Sequence, residues 1–164
     1  MSMKTLEIIK HPAESLRKPS KEVNPNIIET PEFQEFCDVM VATMFEKDGI
    51  GLAAPQVGKN IRVIVVNGQS GPDIFINPTI TYTSHVMQIG EEGCLSVPLV
   101  WGIVERHTHV TIKAITRENK KIKFEAKDLD AIIFQHEIDH LDGILFIDKA
   151  TEITRGKERL GKAL

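Results

Sequence analysis

The chain has 164 residues and a formal charge of −3, with 41% hydrophobic and 26% charged residues. That is the size and composition of one folded domain spanning residues 1–164, and the near balance of charge excludes the basic field of a DNA-binding protein. The opening, MSMKTLEIIKHPAESLRK, has no apolar run of signal-peptide length, and no stretch approaches the roughly 20 apolar residues of a membrane span, so a cytoplasmic protein with no membrane partner is expected.

Thr30-Pro31 opens the first predicted helix, with Thr as the N-cap and Pro at the first helical position. Phe33, Phe36, Cys37, Met40, Val41 and Met44 then recur at the helical period, and Gly49 ends it. Cys37 lies on that apolar stripe and reads as core filling. GIGLAAPQVG, Gly49 to Gly58, is neither helix nor clean strand. Its glycines and proline suit either a buried turn or backbone that passes close to another group. Ile61–Val66 is a β-branched run and reads as a buried strand, followed by strands over Ile74–Asn77 and Ile80–Gly90. His109 to Ala126 reads as a hairpin with His109, Thr111 and Lys113 on a wet face. His11, His85, His107 and His109 have no converging partners and are read as ordinary polar residues.

Asp128 is placed to cap a helix that reaches Leu141, with Gly143 just past its end. Leu129, Ile132, Ile133, His136 and His140 share one face; Phe134, Ile138 and Leu141 continue on another. A helix apolar nearly all round is buried. The tail, TEITRGKERLGKAL, is charged and reads as helical. Strands first and a central helix late predict an α+β fold.

The central helix carries HEIDH, with His136 and His140 four apart and Glu137 beside the first. Residues four apart share a helix face, so two imidazoles can hold one metal ion while the carboxylate works on its water. Burial strengthens this reading, because two imidazoles and a carboxylate in an apolar helix need partners. A third ligand is required. A histidine six residues beyond the second is absent, since Phe146 stands there. A downstream glutamate could only be Glu152 or Glu158, in the charged tail. The better candidate is Cys94 in GEEGCLSVP, the one thiol not explained as core, with Gly93 before it. Cys plus two His leaves a coordination position open, which marks a catalytic site.

Metal-assisted hydrolysis follows as the reaction class. The metal acidifies its water and polarises a carbonyl. Glu137 takes the proton and passes it to the leaving amine. The backbone N–H of Leu95 and the side-chain amide of Gln56 are candidate oxyanion donors.

Three segments together, GIGLAAPQ (Gly49–Gln56), EGCLS (Glu92–Ser96) and QHEIDHLDG (Gln135–Gly143), resemble in order and spacing the signature motifs of peptide deformylases. HPAESLRKPSKEV and LFID extend the resemblance to nearly the whole chain, and its length and EGCLS form resemble the bacterial type I members. The resemblance implies antiparallel or mixed sheets around the HExxH helix, with a C-terminal helix. It implies removal of the N-formyl group from the N-terminal methionine of nascent chains, releasing formate. Cys94, His136 and His140 would hold the metal, commonly Fe²⁺, with Zn²⁺, Ni²⁺ or Co²⁺ able to replace it. Glu137 would be the acid/base, and Gln56 and Leu95 would hold the oxyanion. Leu129, Ile132 and Ile133 would line the methionine pocket, Ile50 and Gly51 would clamp the substrate backbone, and Gly93 and Trp101 complete the expected substrate contacts.

One departure stands out. Many family members carry arginine seven residues after the metal cysteine, whereas this chain has Trp101; Arg106 is kept. An indole cannot offer a charged fork but can stack, so an altered preference after methionine is expected. The resemblance also allows ribosome docking through the basic tail, with Arg155, Lys157, Arg159 and Lys162. The rival readings are a downstream-glutamate metallopeptidase and a non-catalytic metal-binding protein. Against the second, Glu137, Gln56 and Cys94 are all present.

Overall fold

The computed structural model describes residues 4–161. Lys162, one of the basic tail residues, lies outside them. Helix α1 (Pro31–Glu46) starts as expected, with Thr30 Oγ1 accepting the Phe33 N–H at 3.4 Å. Of its apolar stripe Phe33, Cys37, Met40 and Met44 are buried, and Phe36 and Val41 partly so. The left-handed residue after it is Asp48 (φ 56°), not Gly49, whose N–H instead reaches the Met44 carbonyl at 2.9 Å.

The glycine-rich stretch forms a three-residue strand, β1 (Gly51–Ala53), and a 3-10 turn, Ala54–Val57. Strands β2 (Val63–Gly68), β3 (Gly71–Thr83), β4 (Met87–Cys94), β5 (Val97–His107), β6 (His109–Ile115) and β7 (Lys121–Lys127) follow. They lead into helix α2 (Asp128–Leu141), a single turn α3 (Phe146–Lys149), strand β8 (Glu152–Arg155) and a short α4 (Lys157–Gly161). Two antiparallel sheets result, ordered β1-β2-β3-β6-β7 and β4-β5-β8. The expected α+β fold is present, with α2 packed against β1, β2 and β7 of the first sheet and β5 of the second.

Three local expectations need correction. Ile80–Gly90 is not one strand, because the chain breaks at residues 84–86 and changes sheets. There the Ser84 hydroxyl bonds the Val86 carbonyl at 2.8 Å and accepts the His109 N–H at 3.1 Å, replacing ladder bonds. Asp128 does not cap α2; it is the first helical residue (φ 52°), and Lys127 occupies the cap without a side-chain bond. The tail is not helical from its start, since Glu152–Arg155 pairs with β5, Trp101 opposite Arg155. Ile153 anchors it against the cluster of Val97, Val100, Val104, Leu145 and Phe146.

The core fixes α2 in rotation. Phe134, Ile138 and Leu141 are at most 6% exposed, each contributing about 1.5–3 kcal/mol by burial. Phe134 meets Phe75 and Phe124 with centroids 4.9 and 5.3 Å away. With that face pinned to the first sheet, the histidine face must turn toward β4 and β5.

Candidate active site

α2 presents His136 and His140 one turn apart, and β4 ends at Cys94. The ligand atoms of these three residues lie within 4.8 Å of one another; among the described residues no other cluster of three or more such groups converges. Cys94 Sγ is 3.3 Å from His140 Nε2. Glu152 and Glu158 are exposed on β8 and α4 and do not join the cluster. Phe146, where a third histidine was sought, stacks on the His136 ring. His107 Nδ1 faces the Ser84 carbonyl at 2.7 Å, away from the cluster.

Around the three ligands is a charged network. Glu92 Oε1 lies 2.8 Å from His136 Nδ1, which fixes the ring and leaves its other nitrogen toward the cluster. Arg106, 3% exposed, grips Glu92 with two bonds of 2.9 Å and Asp139 with one of 2.6 Å. Lys149 closes the chain on Asp139 at 3.0 Å. Burial disfavours the Glu92 charge, but Arg106 and His136 outweigh it and bring the carboxyl down to about 2. At His136 burial is likewise outweighed, by Cys94 and Glu92, and its pKa lies above the usual range. His140 goes the other way, because burial, His136 and Arg106 all disfavour its charge.

Glu137 follows His136 on α2 and is 5% exposed. Burial pushes its carboxyl up to about 7, with Glu92 and Asp139 adding to the rise against His136 and Arg106. Its Oε1 is buried with no hydrogen-bond partner among the described residues. A carboxylate oxygen left open beside a thiol and two imidazoles fits a bound cation and its water. Gln56 is held in one orientation. Its Oε1 accepts the Ala53 N–H at 3.0 Å, so its Nε2 turns to Ser96 Oγ (3.1 Å) and toward Cys94 Sγ (3.6 Å). Leu95 and Ser96 make the two-residue turn between Cys94 and its cross-strand partner Val97.

These groups sit at the floor of a cleft of about 610 Å³. Every residue expected to contact substrate lines it: Ile50, Gly51, Gly93, Leu129, Ile132, Ile133 and Trp101, together with Gln56, Cys94, Leu95, His136 and Glu137. Two glycines are set by close approach. A β-carbon on Gly51 would stand 2.5 Å from Glu137 Oε2, and one on Gly93 would stand 2.7 Å from the Trp101 ring.

Glu92, Asp139 and Ser96 were not singled out from sequence, and Arg106 was noted without a role. The available signals were spacings: Glu92 lies two before Cys94 on a strand, and Asp139 three after His136 on a helix. Neither spacing names the buried arginine that joins them, which comes from β5.

A Cys–His–His donor set beside a buried carboxylate, at the floor of an apolar cleft, is the arrangement of a mononuclear metal hydrolase. A family model described as polypeptide deformylase matches residues 5–156. The peptide deformylase of Desulforudis audaxviator is 42% identical over 157 residues, covering 95% of this chain and 100% of that protein. Among solved structures, the Met-Ala-Ser-bound class I type b peptide deformylase of Acinetobacter baumannii superposes with a TM-score of 0.85 at 36% identity, covering 91% of this chain and 99% of that one. The Thermotoga maritima peptide deformylase gives a TM-score of 0.86 at 34% identity, covering 90% and 99%. The chain belongs to the peptide deformylase family.

Proposed function

We propose that this chain removes the N-formyl group from the N-terminal methionine of newly made polypeptides in the cytoplasm, releasing formate. The observation that carries the reading is the convergence of Cys94, His136 and His140, the first two lining the cleft, with the Glu137 oxygen left open beside them. Binding of Met-Ala-Ser by the Acinetobacter relative supports the substrate class.

A divalent ion held by Cys94, His136 and His140 would supply Lewis acidity and an acidified water. Fe²⁺ is the ion proposed in the cell, with Zn²⁺, Ni²⁺ or Co²⁺ able to occupy the same donor set. Glu137, near neutrality at about 7, is matched to take a proton and return it to the leaving amine at one pH. The Gln56 amide and the Leu95 N–H meet the negative oxygen of the tetrahedral intermediate. β1 is an edge strand of its sheet, so an extended peptide can pair beside Ile50 and Gly51 as an added strand. The methionine side chain then enters between Leu129, Ile132 and Ile133.

The test is formate release from formyl-Met-Ala-Ser by protein purified without oxygen, with metal content measured and Glu137→Ala run alongside. Release that needs metal and disappears in the variant is expected. Bound metal without formate would refute the substrate assignment. The tail is proposed to reach the ribosome; unchanged cosedimentation after truncation at Ala150 would remove that part.

A further inference from the structure

Of the large hydrophobic side chains left exposed in this protein, four stand around the mouth of one cleft. Leu99 is 64% exposed, Leu129 60%, Ile50 52% and Trp101 37%, whereas Ile133 and Glu137 at the floor are 4% and 5% exposed. Exposure here tracks depth, so these four mark the outer part of the cleft.

Trp101 is held between a glycine and a cation. Its six-membered ring lies against Gly93, in space that any β-carbon at that position would fill. Over the ring, 4.8 Å from the centroid, stands the Arg155 guanidinium. Arg155 also meets Glu91 at 3.1 Å, and Glu91 takes a second bond from Thr154 Oγ1. Arg155 and Thr154 belong to β8, and Arg155 is the cross-strand partner of Trp101. Arg155 does not line the cleft, whereas Trp101, Glu91 and Gly93 do. An exposed Arg–Glu pair stabilises a fold little by itself. Its geometric effect is to hold a planar cation flat on one face of the indole, which limits the ring's freedom to swing away from Gly93.

We propose that Arg155 is a positioning residue for substrate selection. From β8 it clamps Trp101 as the outer wall of the cleft, and that wall favours apolar and aromatic side chains at the second and third positions of the formyl peptide. The inference rests on the proposed deformylation. With the methionine side chain taken up at Leu129 and the backbone beside Ile50, the peptide chain beyond methionine passes the exposed rim where Leu99 and Trp101 stand. There it meets apolar surface. A preset wall binds better than a mobile one, because less side-chain freedom is lost on contact.

The experiment compares formate release from formyl-Met-Phe-Ser, formyl-Met-Ser-Phe and formyl-Met-Ser-Ser by the metal-loaded enzyme. One aromatic contact predicts a preference of about fivefold in kcat/KM for at least one phenylalanine peptide. Arg155→Ala and Trp101→Ala are expected to reduce that ratio to within about twofold, through KM rather than kcat, as loss of uniform binding requires. Arg155→Lys, which keeps a cation near the ring and near Glu91, and Trp101→Phe, which keeps an aromatic wall, are expected to retain more of it. Thermal melts of each variant exclude general unfolding as the cause. A wild-type ratio near one at both positions, or a ratio that Arg155→Ala leaves unchanged, overturns the proposal while formate release from all three peptides leaves the deformylase reading intact. No formate from any peptide with metal bound would instead remove that reading, and the inference with it.

Discussion

Arg106 is the test of how Cys94, His136 and His140 are held together. It is 3% exposed and shares the compensation of Glu92 with His136 and that of Asp139 with Lys149, which reaches Asp139 at 3.0 Å. Arg106→Met keeps the bulk and removes the charge, leaving Glu92 buried against His136 alone. Breaking a buried ion pair from one side costs about 3–5 kcal/mol. The Glu92 carboxyl gives a scale for what Arg106 and His136 supply together, net of burial. Its fall from an ordinary 4.5 to about 2 corresponds to about 3 kcal/mol. Because the folded value is depressed, that stability is present in full above pH 4.5 and is lost as pH falls toward 2. Lys149 spares Asp139, so the lower end, about 3 kcal/mol, is the expected loss at pH 7. For a chain of this length that is a fall in Tm of about 6–12 °C. The assay is thermal and urea unfolding in the presence of chelator, so that metal binding does not add to the folded state. Adding Glu92→Gln to Arg106→Met should recover part of the loss, because the buried charge is gone. A loss under about 1 kcal/mol, or a double variant no more stable than Arg106→Met, would refute the account of Arg106 as the compensating charge.

Glu92→Gln alone should weaken metal binding by about 10–100-fold, read by competition with a coloured chelator, because the carboxylate that orients His136 is replaced by a neutral amide. Gly51→Ala drives a methyl into the Glu137 carboxylate; kcat should fall by at least about 10-fold with metal content preserved, and loss of metal instead would mean that the strand had moved. Thiol labelling should separate the two cysteines. Cys37 is fully buried, and burial first among several influences pushes its thiol up to about 11, so it stays unreactive at pH 8 until the protein unfolds. Cys94 should label in chelator and be protected by metal; equal labelling of both in folded protein would contradict the packing of α1.

Much of the site was legible because its chemistry is local. HEIDH sets two imidazoles on one helix face by geometry alone, and the apolar pattern around it says that the face is interior. Cys94 was reachable by elimination, once Cys37 was placed on the α1 stripe. The glycines at 51 and 93 signalled close approach, and the structure supplies what approaches, a carboxylate and an indole. What stayed hidden depends on pairings between distant segments. Thr81, Thr83 and His85 hold the polar positions of a strand up to Val86, so period alone did not mark where the chain changes sheets at Ser84. The tail is rich in helix formers, and a single half-buried residue, Ile153, is too little signal for a strand.

The Glu92–Arg106–Asp139 network was unreadable for a deeper reason. Each member looks like an ordinary solvated charge in its own segment, and only the fold makes them neighbours. The network also explains why a site assembled from β4 and α2 holds its shape. Cys94 and Glu92 belong to β4, His136 and Asp139 to α2, and Arg106 from β5 bonds both acidic residues. The guanidinium therefore ties the strand that carries the thiol to the helix that carries the imidazoles. Hydrophobic packing sets the rotation of α2 against the first sheet, but it is tolerant of small shifts. The hydrogen bonds of a planar cation are not. The distance between sulfur and imidazole is thus set by directional bonds just behind the ligands, which is where the sequence offers three unremarkable charges and the structure places a buried ion cluster.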